Sequence, residues 1–162
     1  MGNEEQKKVI SLKPIGIIHS PYKIIEEIPN QGYKSKYTGI IEVFKEYEEG
    51  LADLDEFSHL ILLFLFHKSN GYFLKIKPFF DINLRGLFAT RSPKRPNPIG
   101  LSVVRLLERN DNMLDIAEID MLDGTPLLDI KPYVPHFDQR EVVKVGWLEG
   151  KIKTVPSKNK ER

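Results

Sequence analysis

The chain has 162 residues, 41% of them hydrophobic, which is enough for one domain with its own core and no need of metals or staples. It contains no cysteine, which excludes disulfides, thiolate metal sites and a cysteine nucleophile, and is compatible with a reducing compartment. Its 24 basic and 23 acidic side chains leave a formal charge of +1, so net charge alone points to no polyanionic partner.

The opening Met-Gly-Asn-Glu-Glu-Gln-Lys-Lys has no apolar signal core, and Gln6 stands where a myristoylation motif places Ser or Thr. A cytoplasmic protein is expected. Residues 1–12 and 151–162 are polar and charged, and are expected to be frayed tails flanking a single domain at 13–150. The second tail is basic through Lys151, Lys153, Lys158, Lys160 and Arg162. Residues 14–19 and 39–44 are short, β-branched and bounded by Gly, Pro and Ser, which predicts two strands. Residues 45–56 read as a short helix with a loop. Residues 57–67 hold seven consecutive apolar side chains, Leu60 to Phe66, too few to span a bilayer and predicting a central strand buried on both faces.

Further strands are expected at 85–90, 101–107, 113–121 and 127–130, the last two joined by the strong turn signal Asp123-Gly124-Thr125-Pro126. There is little 3.6-residue periodicity and no internal repeat. No strand leads into a Gly-x-Gly-x-x-Gly helix start. The fold class is therefore mainly β: a small closed or nearly closed β-barrel with one or two short helices, and not a Rossmann domain.

Charge is distributed unevenly. Residues 82–107 contain no Asp or Glu but include Arg85, Arg91, Lys94, Arg95 and Arg105, whereas residues 26–56 set nine carboxylates against Lys34, Lys36 and Lys45. A polyanion would be steered from the second segment toward the first. Within the basic segment, residues 89–102 place Arg91, Lys94 and Arg95 among Pro93, Pro96 and Pro98. Prolines fix their own φ and restrict the preceding residue, so such a loop loses little entropy on docking an anion. The alternative is a solvated, proline-punctuated connection.

Few residues suggest direct chemistry. His59 and His67, eight residues apart on one strand, would be separated by about 26 Å and cannot share a metal, and no metal site is expected. His59 reads as structural at the strand entrance. His67 and Lys68 lie where the strand emerges, a place for ligand contacts. Residues 123–126 either close a hairpin or present backbone amides and carbonyls to a polar ligand. Asp129 and Lys131 share one face of the next strand as a buried or a surface ion pair, and Asp129 is a conceivable general base. Tyr133, on a proline-stiffened segment, either stacks on a base or packs. Lys94, Arg95, Lys131 and Tyr133 are the candidate RNA contacts. The residues alone give a β-rich domain with a rigid cationic loop facing RNA or a nucleotide.

Four phrases together go further: Pro-Ile-Gly-Ile-Ile-His-Ser-Pro-Tyr at 14–22, Phe-Ser-His-Leu at 57–60 leading to Phe66-His67, Ala-Thr-Arg-Ser-Pro through Asn-Pro-Ile-Gly-Leu-Ser at 89–102, and Asp-Gly-Thr-Pro through Asp-Ile-Lys-Pro-Tyr at 123–133. In this set the chain resembles the tRNA methyltransferase O family. The resemblance implies a small dimeric β-barrel that uses S-adenosylmethionine to methylate N6 of threonylcarbamoyladenosine next to the anticodon, so the expected partners are a tRNA anticodon stem-loop and a second copy of the chain, with no membrane. It further implies cofactor contacts from Pro29, Asn30, Gln31, His67, Lys68, Arg91, Leu101, Asp123, Gly124, Thr125 and Pro126. Candidate general bases are Asp129, His67 and Asp138. The chain departs from the family's pattern at His19 and Asn30, where members often carry Arg; some members carry an extra C-terminal domain, whereas here only a lysine-rich tail is expected after Trp147. The rivals are a methyltransferase of the same fold with another substrate and a non-catalytic RNA-binding barrel.

Overall fold

The computed structural model describes residues 8–30, 32–141 and 144–152. Gln31, the first seven residues and all but the start of the basic tail lie outside the described residues. Among the described residues eight strands occur in chain order: β1 (Gly16–His19), β2 (Thr38–Val43), β3 (His59–Leu65), β4 (Lys75–Ile76), β5 (Arg85–Gly86), β6 (Ile99–Asn110), β7 (Met113–Ala117) and β8 (Thr125–Pro132). Six of them close into an antiparallel barrel in the order β1-β2-β7-β6-β3-β8, and β4 pairs with β5 as a separate ribbon. The barrel is sealed by β1 against β8, with Gly16 opposite Leu127. Among the described residues no helix is long and apolar enough to cross a membrane.

Period-two alternation builds the core. Ile18, Ile41, Leu60, Leu62, Val104, Leu114, Ile116 and Leu127 point inward and are fully buried. Each is worth about 1.5–3 kcal/mol of transfer free energy. Phe64 is opposite Gly100 in the β3–β6 register, and a Cβ at Gly100 would sit 2.3 Å from the ring. The aromatic fills space that only glycine leaves open.

Several predicted elements change. The apolar run in β3 is not buried on both faces: Leu60, Leu62 and Phe64 are inside, while Ile61, Leu63 and Leu65 form a half-covered outer wall, because a closed barrel has only one interior. Residues 45–56 form 3-10 turns at Lys45–Leu51 and Leu54–Glu56, separated by Asp53 at φ 64°. The expected strand at 85–90 keeps only Arg85–Gly86 and continues as a 3-10 turn, Leu87–Ala89, pinned by the buried Leu87 side chain. The strand expected at 113–121 ends at Ala117, where Glu118 at φ 65° turns the chain. Residues 123–126 do not close a hairpin, since β7 pairs with β2 and β6 whereas β8 pairs with β1 and β3. The chain instead crosses the barrel mouth there.

Strand registers sort the connections by barrel end. His19 lies opposite Ile40, Thr38 opposite Ala117, Ile18 opposite Thr125 and Leu65 opposite Ile99. Connections 20–37, 66–98 and 118–124 therefore all leave and return at one rim. The opposite rim carries residues 44–58, residues 111–112 and the chain beyond Pro132, including α1 (Pro135–Asp138).

Candidate functional site

The longest connection at the first rim is fastened along its length. The Phe66 amide donates to the Pro98 carbonyl at 2.7 Å and the Ser69 hydroxyl to the Pro93 carbonyl at 2.8 Å. His67 and Lys68 are thereby held beside the proline-rich loop. Burial, and secondarily the charge of Lys68, lower the pKa of His67, so its imidazole is neutral at pH 7.

The three cations of the loop have different duties. The Arg95 guanidinium donates to the carbonyls of Thr90 at 2.9 Å and Ser92 at 3.2 Å and lies 5.7 Å from the Phe88 ring. It shapes the loop from within. The Lys94 ammonium lies 5.7 Å from the Phe73 ring, leaving it at the surface. Arg91 is exposed and takes part in none of the ion pairs among the described residues.

The turn at 123–126 is equally committed. Asp123 accepts from the Ser20 amide at 2.9 Å and from Lys23 Nζ at 2.5 Å, and the Lys23 bond, followed by the Ser20 amide, lowers its pKa. Its own amide donates to the Tyr22 carbonyl, that of Gly124, at φ 77°, to Ile18, and that of Thr125 to Leu122. All three amides are thus spent inside the protein. What the turn presents outward is the Gly124 backbone and the half-buried Pro126.

Beneath this rim lies a carboxylate that the sequence reading missed. Three residues past the end of β7, Asp120 reaches back to Ser102 of β6, whose hydroxyl donates to it at 2.7 Å. Burial raises the pKa of Asp120, and the Ser102 hydroxyl, the Gly32 amide and the charge of Arg91 oppose that rise. Gly32 is pressed against this segment: a Cβ there would lie 2.4 Å from the Glu118 carbonyl oxygen and 3.4 Å from the Asp120 carboxylate. The available signal was a lone acid between the buried Ile119 and Met121.

The first rim gathers Pro29, Asn30, His67, Lys68, Arg91, Leu101, Asp123, Gly124, Thr125 and Pro126. Leu101 is at the start of β6, pointing outward beside Ser102. Asp129 lies on the outer wall in a surface ion pair with Lys131 at 2.7 Å, so the pair is not buried. Tyr133 and Asp138 belong to the opposite rim. The Tyr133 amide donates to the His59 carbonyl and its ring meets His59 edge-on, while Asp138 accepts the Val134 amide at 2.7 Å ahead of α1. The length of β8 separates the two rims by about 23 Å. An open groove of about 680 Å³ runs along the outer wall between His19, Lys23, Ile40, Glu108 and Asp115, and takes in Asp123 alone of the expected cofactor contacts. At its edge His19 Nε2 lies 2.8 Å from Glu42.

The family model described as tRNA-methyltransferase O N-terminal domain matches residues 17–139, from β1 through α1. A probable S-adenosyl-L-methionine-binding protein of Pyrococcus abyssi is 54% identical over 145 residues, 89% of this chain and 79% of that one. The tRNA (adenine(37)-N6)-methyltransferase of Escherichia coli K12 is 41% identical over 132 residues, 75% of this chain and 56% of its own length. The chain thus spans little more than half of that enzyme. A crystal structure of TrmO is similar at a TM-score of 0.73 and 41% identity, covering 86% of this chain and 64% of that one. With the matched segment spanning all six barrel strands and the rim they support, the chain belongs to the tRNA-methyltransferase O N-terminal domain family.

Proposed function

We propose that the chain binds S-adenosylmethionine at the first rim and, as a homodimer, methylates N6 of threonylcarbamoyladenosine beside the anticodon of tRNA. The observation that carries this reading is the convergence of connections 20–37, 66–98 and 118–124 on one rim of a closed barrel. The residues there suit the cofactor's chemistry: the exposed Arg91 for its carboxylate, and Pro29, Leu101 and Pro126 for the apolar faces of its base.

When bound, the cofactor would supply a methyl group on a sulfonium for transfer to N6 as the N6 proton is lost. Positive charge disappears in that step, so the protein gains most by aligning the two reactants. The stapled loop at 89–98 does this with little entropy left to lose. The lone pair of N6 is delocalised into the purine and the carbamoyl group, which also makes its proton easier to remove. A modest base suffices, and the neutral imidazole of His67 is the one candidate base placed at this rim. Lys94 offers phosphate contact on the same loop.

Incubation of tRNA with isotopically labelled S-adenosylmethionine, followed by nucleoside mass spectrometry, tests the reading. Label on threonylcarbamoyladenosine is expected, and label on another nucleoside would assign a different substrate. Salt-sensitive RNA binding without calorimetric heat from the cofactor would make the protein a non-catalytic RNA-binding barrel.

A further inference from the structure

We propose that Asp120 is the positioning residue of the cofactor cleft, holding the turn at Gly32 and the loop at Arg91 in fixed relation to β6. The proposal rests on the reading of the first rim as the cofactor site and adds to it a residue outside the expected contacts.

The placement carries the inference. Asp120 follows β7 just after Glu118 has turned the chain out of the sheet, yet its side chain still reaches β6 and accepts the Ser102 hydroxyl at 2.7 Å. Its other side faces Gly32, within ordinary contact distance of a Cβ built there. Arg91, from a third connection, lies close enough for its charge to act on the carboxylate. One side chain thus bonds to β6, touches the Gly32 turn and attracts the loop that leads into β6. An apolar residue between Ile119 and Met121 would fill the space at a lower desolvation cost. It could not supply directed bonds to Ser102 and Gly32, nor an attraction that keeps the Arg91 guanidinium over the rim.

The role is indirect: Asp120 acts through Arg91 and the Gly32 turn, so its removal and that of Arg91 should be strongly non-additive. Calorimetry with S-adenosylmethionine on the full chain compares wild type, Asp120→Asn, Arg91→Ala and the double variant. We expect Asp120→Asn to weaken binding about tenfold, the scale of a lost hydrogen bond to a charged group. The double variant should lose clearly less than the product of the two single fold-losses, which effects independent of Arg91 would not produce. Ser102→Ala, which keeps the carboxylate but removes its anchor, should weaken binding about threefold or more and serves where Asp120→Asn fails to melt cooperatively. Wild-type affinity in Asp120→Asn or in Ser102→Ala, or additive losses in the double variant, overturns the proposal while leaving the cofactor site intact. No binding by the wild type overturns the site reading and this proposal with it.

Discussion

The indole of Trp147 donates a hydrogen bond to the carbonyl of Ala89 at 2.7 Å, so the chain beyond α1 is fastened to the loop that carries Arg91. Lys151, 5.7 Å from the same ring, reinforces the contact. Trp147→Phe keeps an aromatic body but removes the donor, and should cost about 0.5–1.5 kcal/mol. Hydrogen exchange should accelerate at residues 87–92 and stay unchanged in β3 and β6. Uniform exchange across the chain would mean that the contact does not hold the loop.

Asp81 gives a second fastening with a defined pH dependence. Its buried carboxylate takes Lys151 at 3.0 Å and Arg85 at 2.7 Å, and these bonds, Lys151 foremost, hold its pKa well below the usual carboxylate range. A carboxylate depressed in the folded state stabilises it at every pH above its unfolded value of about 3.9, and that contribution fades as pH falls through the folded value. The gap in melting temperature between wild type and Asp81→Asn should therefore be constant above about pH 5 and narrow in acid. A gap that widens on acidification would contradict the pairing.

Arg95 and Lys94 are neighbours in sequence with separable roles. Arg95→Ala removes two internal hydrogen bonds and should lower stability by about 1–2 kcal/mol. Lys94→Ala should leave the melt unchanged, weaken tRNA binding and reduce the logarithmic salt slope by about 1. Filter binding across a salt series, beside thermal melts, reads both.

If His67 takes the N6 proton, methyl transfer must fall in acid as the imidazole protonates. Its pKa is lowered, so the midpoint of that fall should lie below the ordinary value of about 6.5. His67→Ala should reduce kcat about 100-fold or more and abolish the acid limb. A variant that keeps the limb would move the proton elsewhere.

Seven large apolar side chains at residues 72–88, among them Phe79, Ile82 and Phe88, are more than half exposed. A clustered apolar surface of this kind is what an association of two copies would cover. Phe79→Asp should convert a dimer to a monomer in sedimentation equilibrium. An unchanged mass for this variant would place the contact elsewhere.

The barrel strands were legible because each alternates or runs apolar between turn residues, as Leu60 to Phe66 does. Their pairing was not: the turn signal at Asp123 was correct, but it says nothing of which strand lies next, and the chain crosses the mouth rather than folding back. The loop at 89–102 was visible through its prolines and charges. Composition could not tell Arg95, which bonds inward, from Arg91, which faces out. Asp120 was invisible for a related reason: Ser102, Gly32 and Arg91 approach it only after the barrel has closed, and no local spacing encodes their meeting.

Closure itself sets when any of this can exist. The seam pairs Gly16 with Leu127, so the first strand made must wait for the last before the ring is complete, a topology expected to fold slowly. On the ribosome a nascent chain would have no assembled rim until nearly all of its strands had emerged, and competence to capture a small ligand would report that the final strand has docked.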